Sequence, residues 1–219
     1  PAFQGLREGR WDRNKYMGIE LAGRTLGIIG LGRIGTEVTH RARAFQMRVV
    51  AYDPFVSPER AAALGVEMME IDEVLAQSDF VTLHVPLVAA TRHLLDAPRL
   101  AAMKSGAVLL NFARDGIIDE DAVAAALRAQ KLKAYVCDFP SARLLREPGV
   151  VALPHLGAST AEAEENSAVM VVDQVRAYLE DGTITNAVNF PSVEMPREAP
   201  YRVAIANANV PNMLGQIST

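Results

Sequence analysis

The sequence predicts an α/β fold, a parallel sheet wound with helices on both faces. Two observations carry the prediction. Short apolar runs alternate with helix-patterned stretches from residue 25 to about residue 153, and runs that are apolar at consecutive positions suit strands buried on both faces. The first run, Thr25-Leu-Gly-Ile-Ile-Gly30, leads into Gly30-Leu-Gly32-Arg-Ile-Gly35, then into a helical stretch over 36–46 and a second apolar run, 48–52, that ends on Asp53. Strand, glycine turn, helix, strand and acid in that order, with the acid about 20 residues past the turn, form a dinucleotide fingerprint in its full context.

Each position in that fingerprint has a physical task. Gly30 permits the tight turn, Gly32 has no Cβ to hold the backbone off a pyrophosphate, and Gly35 lets the helix pack closely on the strand. The free N–H groups and positive end of the helix face the phosphates. Asp53 can accept hydrogen bonds from both ribose hydroxyls of an adenosine, and its charge would repel a 2′-phosphate, which favours NAD over NADP. The alternative is a glycine-rich turn in an α/β core with no ligand.

Taken in order, residues 1–22 are mixed, with Trp11 and Tyr16 set among charges, and read as the end of an incoming helix or a connector. Beyond Asp53 the pattern predicts a helix over 58–64, a short strand over 66–69 and a helix over 71–77 with Asp72 and Glu73 at its positive end. A buried strand over 79–85 follows, then a helix over 98–103 with proline in its first turn, a strand over 107–112 and an alanine-rich helix over 120–129. Strands over 132–137 and 150–153 complete the alternation. Right-handed crossovers make this a Rossmann-like, doubly wound sheet, whose ligand lies across the carboxyl ends of the strands. Ser159-Thr160 opens a long helix to about residue 180, with Val169, Val172, Val175 and Leu179 on its apolar face and Asp181-Gly182 as its stop. The proline-marked stretch 191–200 reads as a linker, and 201–205 as a new strand.

Composition limits the function. Half of the 219 residues are apolar, 22% are charged, and the net charge of −4 gives no electrostatic footprint for nucleic acid. The single cysteine, Cys137, rules out an internal disulfide and makes the cytoplasm the default compartment. No run approaches the roughly 18 apolar residues of a membrane span, and no secretory leader is recognised at Pro1. The four scattered histidines and one cysteine suggest no metal cluster, and no Gly-x-Ser-x-Gly elbow argues for a serine hydrolase.

Two residues stand out as chemically able. Arg114 follows the strand over 107–112, where a guanidinium can hold the carboxylate of a 2-hydroxy or 2-oxo acid through two parallel hydrogen bonds; an ion pair with Asp115 or Asp119 is the competing role. His155, in Pro-His-Leu-Gly-Ala-Ser-Thr ahead of the long helix, can take the proton of a hydroxyl as hydride leaves its carbon, or can serve as a capping or packing histidine. His84 and His93 are weaker candidates, and His40 suits surface or packing.

The stretches Glu20-Leu-Ala-Gly-Arg-Thr-Leu-Gly-Ile-Ile-Gly-Leu-Gly-Arg-Ile-Gly, Tyr52-Asp-Pro, His84-Val-Pro-Leu, Asn111-Phe-Ala-Arg and Pro154-His-Leu-Gly-Ala-Ser-Thr together resemble the D-isomer-specific 2-hydroxyacid dehydrogenases. Asp138-Phe-Pro, Glu164-Glu-Asn166, Asn186-Ala-Val-Asn-Phe-Pro191 and the stretch from Asn209 are most similar to the branch that oxidises D-3-phosphoglycerate, and the resemblance covers nearly the whole chain. It implies that Arg114 binds substrate and that His155 is the acid/base. It implies that Arg33, Ile34 and Thr91 lie along the pyrophosphate beside Gly30, Gly32 and Gly35 of the fingerprint, that Asp53 holds the adenine ribose, and that Pro54 is a further cofactor contact. It also implies that Val85 and Pro86 line the adenine side, Ala113 and Gly157 border the nicotinamide, Asp138 meets its carboxamide, and His84, Phe112, Arg114 and His155 are further cofactor contacts.

The domain plan implied is a connector (1–22), an NAD-binding domain (23–190), a linker (191–200) and the start of an ACT-like regulatory domain (201–219). The family's first half-domain has no counterpart before Pro1, so the chain is expected to bind NAD with little or no turnover. A homodimer through the nucleotide-binding domain is implied by the family alone. The family usually pairs its histidine with a glutamate five residues beyond the aspartate that matches Asp138, but Arg143 stands there. Glu147 is the nearest later acid and a candidate substitute through a differently shaped loop, though a solvated surface acid is the favoured role. A dehydrogenase for glycerate, glyoxylate or lactate is the alternative substrate reading, and an NAD-responsive corepressor-like module is the alternative outside enzymes.

Overall fold

The computed structural model describes residues 2–187, 190–194 and 199–201. It divides into two compact units, residues 1–156 and 157–219. The expected strand over 201–205 and the ACT-like stretch lie, apart from Tyr201, outside the described residues.

In the first unit the elements run α1 (Ala2–Arg7), β1 (Thr25–Ile29), α2 (Arg33–Ala44), β2 (Arg48–Tyr52), α3 (Pro58–Ala63), β3 (Glu67–Met68), α4 (Ile71–Gln77) and β4 (Phe80–Leu83). They continue with α5 (Ala97–Ala102), β5 (Ala107–Asn111), α6 (Glu120–Arg128), β6 (Leu132–Cys137) and β7 (Val150–Ala152). The strands form one all-parallel sheet in the order β3-β2-β1-β4-β5-β6-β7. This is the expected doubly wound arrangement, with the order reversing between β1 and β4.

Both faces of the sheet are covered, and β1 is buried at every position. Alternate residues of the strands feed two cores, as the two-residue period of a strand requires. Leu26, Ile28, Val49 and Ala51 join one with Leu31, Ala42 and Val66. Ile29, Val50, Val81, Leu83 and Leu109 join the other with Val74, Leu75, Leu100 and Val123. At the amino edge, the buried side of Asp79 accepts from the Thr25 N–H at 2.8 Å and meets the Lys104 ammonium at 3.2 Å. Burial works against its charge, but these two partners outweigh it and hold the carboxyl below its ordinary range.

The helix after the glycine turn begins at Arg33, three residues ahead of the position expected from apolar spacing, because Gly32 already accepts the first helical bond from the Thr36 N–H at 2.9 Å. The helix therefore starts directly on the turn. Other boundaries move by one or two residues, chiefly at strand ends where the pattern runs on into loops.

The second unit holds α7 (Ala161–Asp181). Thr160 caps it, accepting from the Ala163 N–H at 3.1 Å, and Gly182 ends it in the left-handed region at φ 66°. The chain then makes an antiparallel bridge between Ile184 and Val193. Its expected apolar face is present, but Val169, Val172, Val175 and Leu179 are all exposed.

Candidate functional site

The register of the sheet builds the site. Tyr52 pairs with Ile29, Ile29 with Leu83, Leu83 with Asn111, Asn111 with Cys137, and Cys137 with Ala152, so six strands end in one row. The residues just beyond that row are Asp53, Gly30, His84, Phe112, Asp138 and Leu153. Sequence spacing could only list these residues; register puts them on one edge.

Over β1 and β2 the edge is made of backbone. Gly30 sits at φ 96°, and a Cβ there would lie 2.7 Å from the His84 carbonyl oxygen. A Cβ on Gly35 would collide with the Gly30 carbonyl oxygen, so α2 packs on the turn only as glycine. Gly32 differs, since a Cβ there would meet nothing within 4 Å. Nothing in the fold requires glycine at that point, while a pyrophosphate approaching the helix start does. Asp53 is fixed beside the turn, with Oδ2 accepting from the Leu31 N–H at 2.7 Å and Oδ1 from the Phe55 N–H at 2.9 Å. Each oxygen keeps a second lone pair for a ribose hydroxyl. Arg33, Ile34, Pro54 and Pro86 are exposed around this rim, and Val85 is half-buried.

His84 is mostly buried and its ring nitrogen Nε2 meets the Thr82 hydroxyl at 3.0 Å. Burial lowers its pKa to about 4, so it is a neutral structural ring at pH 7. Thr91 folds the loop after β4, donating to the Pro86 carbonyl and accepting from the Val88 N–H at 2.9 Å.

Over β5 to β7 the edge is made of side chains. Asn111 is fully buried, and its Nδ2 donates to the Arg114 carbonyl at 2.8 Å and to the Tyr135 hydroxyl at 3.3 Å. Its Oδ1 accepts from the Ala113 N–H at 3.2 Å. One buried amide thus holds the loop that carries Phe112, Ala113 and Arg114, and burial pushes the supporting Tyr135 phenol up, keeping it protonated. The Arg114 guanidinium donates to the Ala113 carbonyl at 2.6 Å and lies 5.6 Å from the centre of the Phe139 ring. Among the described residues it has no carboxylate partner, so neither competing ion pair, with Asp115 or with Asp119, is formed; Oδ1 of Asp119 caps α6 instead. Arg114 is therefore an exposed cation able to receive an anion.

His155 meets Asp138, with Nδ1 2.8 Å from Oδ2, while Oδ1 of Asp138 is buried without a partner. The candidate role of Glu147 as the partner of His155 is corrected here. Its carboxylate accepts from Nε of Arg128 at 3.0 Å and from a second guanidinium nitrogen of the same residue, which hold it below the ordinary carboxylate range against α6. Arg143 likewise pairs with Asp121 on α6. Asp138 as the partner of His155, and Phe139 between His155 and Arg114, were not foreseen. Their place directly after β6, in the row named above, was the available signal. Gly157 opens the second unit.

The residues fit a dinucleotide. The open space at Gly32, the anchored Asp53 and the orphaned buried oxygen of Asp138 each suit a group of NAD. A concavity of about 950 Å³ in the second unit, lined by Tyr178, Leu179, Ile184, Phe190 and Tyr201 among others, holds none of the candidate residues. Among the described residues no three metal-ligating side chains gather, and no helix is long and apolar enough to cross a membrane.

Residues 2–157 match the model of the D-isomer specific 2-hydroxyacid dehydrogenase, NAD binding domain. The chain is 42% identical over 200 residues to a D-3-phosphoglycerate dehydrogenase of Archaeoglobus fulgidus, covering 88% of this chain and 38% of that protein. It is 41% identical over 217 residues to the D-3-phosphoglycerate dehydrogenase of Rattus norvegicus, covering 94% of this chain and 40% of that one. The crystal structure of a glyoxylate reductase from Paecilomyes thermophila superposes with a TM-score of 0.75 at 35% identity, over 85% of this chain and 58% of that chain. The chain thus spans about two fifths of the length of the curated relatives it matches. It belongs to the D-isomer specific 2-hydroxyacid dehydrogenase family and carries that family's NAD-binding domain.

Proposed function

We propose that this chain is the cofactor-binding part of an oxidoreductase that moves a hydride between NAD and C2 of a D-2-hydroxy acid, with D-3-phosphoglycerate and 3-phosphohydroxypyruvate as the substrate pair, an oxidation that feeds serine synthesis. The observation that carries the reading is the single row of strand ends that brings Gly30, Asp53, Arg114, Asp138 and His155 to one edge. The names of the relatives support the substrate. Bound NAD supplies the acceptor for the hydride leaving C2. Arg114 holds the carboxylate and carbonyl oxygen, and His155 takes the hydroxyl proton as the C2–O bond gains its double-bond character; in reduction the same proton returns.

Residues 23–190 act in this reading as the nucleotide-binding domain, 191–200 as a linker and 201–219 as the start of an ACT-like domain. Association into a homodimer and a cytoplasmic location belong to the same reading. The structural likeness to a glyoxylate reductase favours a second one, in which a smaller 2-oxo acid is reduced. Turnover assays with D-3-phosphoglycerate, glycerate, glyoxylate and lactate decide between them. In an active form of the protein, Arg114→Ala and His155→Ala each lower kcat/KM by at least about 100-fold while NAD still binds. Unchanged turnover in either variant overturns the assignment.

A further inference from the structure

Asp138 is only 8% exposed, yet its two oxygens are treated differently. Oδ2 lies 2.8 Å from Nδ1 of His155, and Oδ1 is buried with no hydrogen-bond partner. An ionised carboxylate can only accept, so the imidazole nitrogen that faces it has to carry the proton. In a neutral ring this leaves Nε2 bare, and a bare nitrogen is what a group that abstracts a proton needs. An unconstrained imidazole prefers the opposite tautomer, with hydrogen on Nε2, so the arrangement is imposed by the site.

Two further features hold the ring. The His155 backbone sits at φ 45°, in the left-handed region that a residue other than glycine rarely adopts and keeps only when its surroundings fix it. Phe139, the residue after Asp138, packs on the imidazole with ring centroids 4.2 Å apart and planes tilted by 37°. The same Phe139 ring carries the Arg114 guanidinium at 5.6 Å, and Asp138 is the carboxylate in contact with the imidazole.

We propose that Asp138 is the positioning residue of the site: it fixes His155 as the Nδ1–H tautomer, with Nε2 presented to the substrate hydroxyl, and takes the place that Glu147 cannot fill. The chemical role of Nε2 rests on the function proposed above, but the tautomer does not. The free Oδ1 leaves one acceptor for an amide N–H of the cofactor, so a single aspartate orients the proton acceptor and faces the carboxamide.

Nitrogen NMR of the 219-residue chain tests this without cofactor or turnover. Long-range proton–nitrogen correlations of the neutral His155 ring should show a protonated Nδ1 and a bare Nε2. Asp138→Ala should move the Nε2 resonance from the bare, pyridine-like region to the protonated, pyrrole-like region, and Glu147→Gln should leave both nitrogens where they were. An Nε2–H ring in the unaltered chain overturns the proposal even if no variant folds. Retention of Nδ1–H in Asp138→Ala, or its loss in Glu147→Gln, overturns it as well. Failure of the chain to bind NAD would instead count against the function and leave the tautomer result standing.

Discussion

The two halves of the sheet's carboxyl edge are built from different materials. Over β1 and β2 the surface is backbone, and two of its glycines are fixed by what a Cβ would strike: the His84 carbonyl above Gly30 and the Gly30 carbonyl above Gly35. Over β5 to β7 the surface is side chains whose positions depend on one another, Asn111 holding the Arg114 loop and Asp138 with Phe139 holding His155. At Gly30 and Gly35 the backbone is set by exclusion and leaves no room for substitution, whereas Gly32 faces open space. Side-chain sites are set by mutual contacts, and a neighbour can take over a role.

The largest expected effect breaks the first half outright. Gly35→Val drives a side chain into the Gly30 carbonyl and should cost about 3 kcal/mol or more of unfolding free energy, read by urea denaturation. A small loss would mean that α2 can slide away from β1.

Next comes the buried imidazole that joins the two halves. His84 has its pKa lowered from 6.5 to about 4 by burial, so the unfolded chain binds its proton first. Stability from this group is fully present above pH 6.5 and is lost as pH falls toward 4. The loss is at most about 3 kcal/mol, and His84→Gln should flatten the corresponding slope in denaturation curves measured across that window. An unaltered slope would remove His84 from the account.

A subtler change separates ligand from fold. Gly32→Ala places its Cβ in open space, so stability should shift by less than about 1 kcal/mol, while NAD affinity should drop about tenfold, or 1.4 kcal/mol. Equal NAD affinity would favour a glycine turn that serves packing alone. The smallest effect belongs to the second half: Glu147→Gln removes an exposed-side ion pair with Arg128 and should leave turnover unchanged in an active form of the protein. A large loss of turnover would return Glu147 to the chemistry.

These contrasts explain what could be read from the residues. The order of strands and helices, the glycine turn and the partner acid Asp53 follow from local pattern, because parallel strands buried on both faces and a turn closed by backbone carbonyls admit few residue types. Arg114 and His155 were visible as chemically able groups at strand ends. The partner of His155 was not, because it depends on how the loop after β6 folds back: Leu144 is buried, Arg128 takes Glu147, and Asp121 takes Arg143. Sequence distance from Asp138 carries no record of those surface pairings. The helix α2 began earlier than its apolar spacing suggested for a related reason, since its first turn faces the glycine loop and buries little of its own surface.

The central claim is that the edge at Gly30, Gly32 and Asp53 binds NAD. Calorimetric titration of the 219-residue chain with NAD and with NADP tests it directly. The account predicts saturable binding of NAD at one site per chain and weaker binding of NADP, because a carboxylate such as that of Asp53, next to the glycine turn, would repel a 2′-phosphate. No binding of either, or tighter binding of NADP, would contradict it.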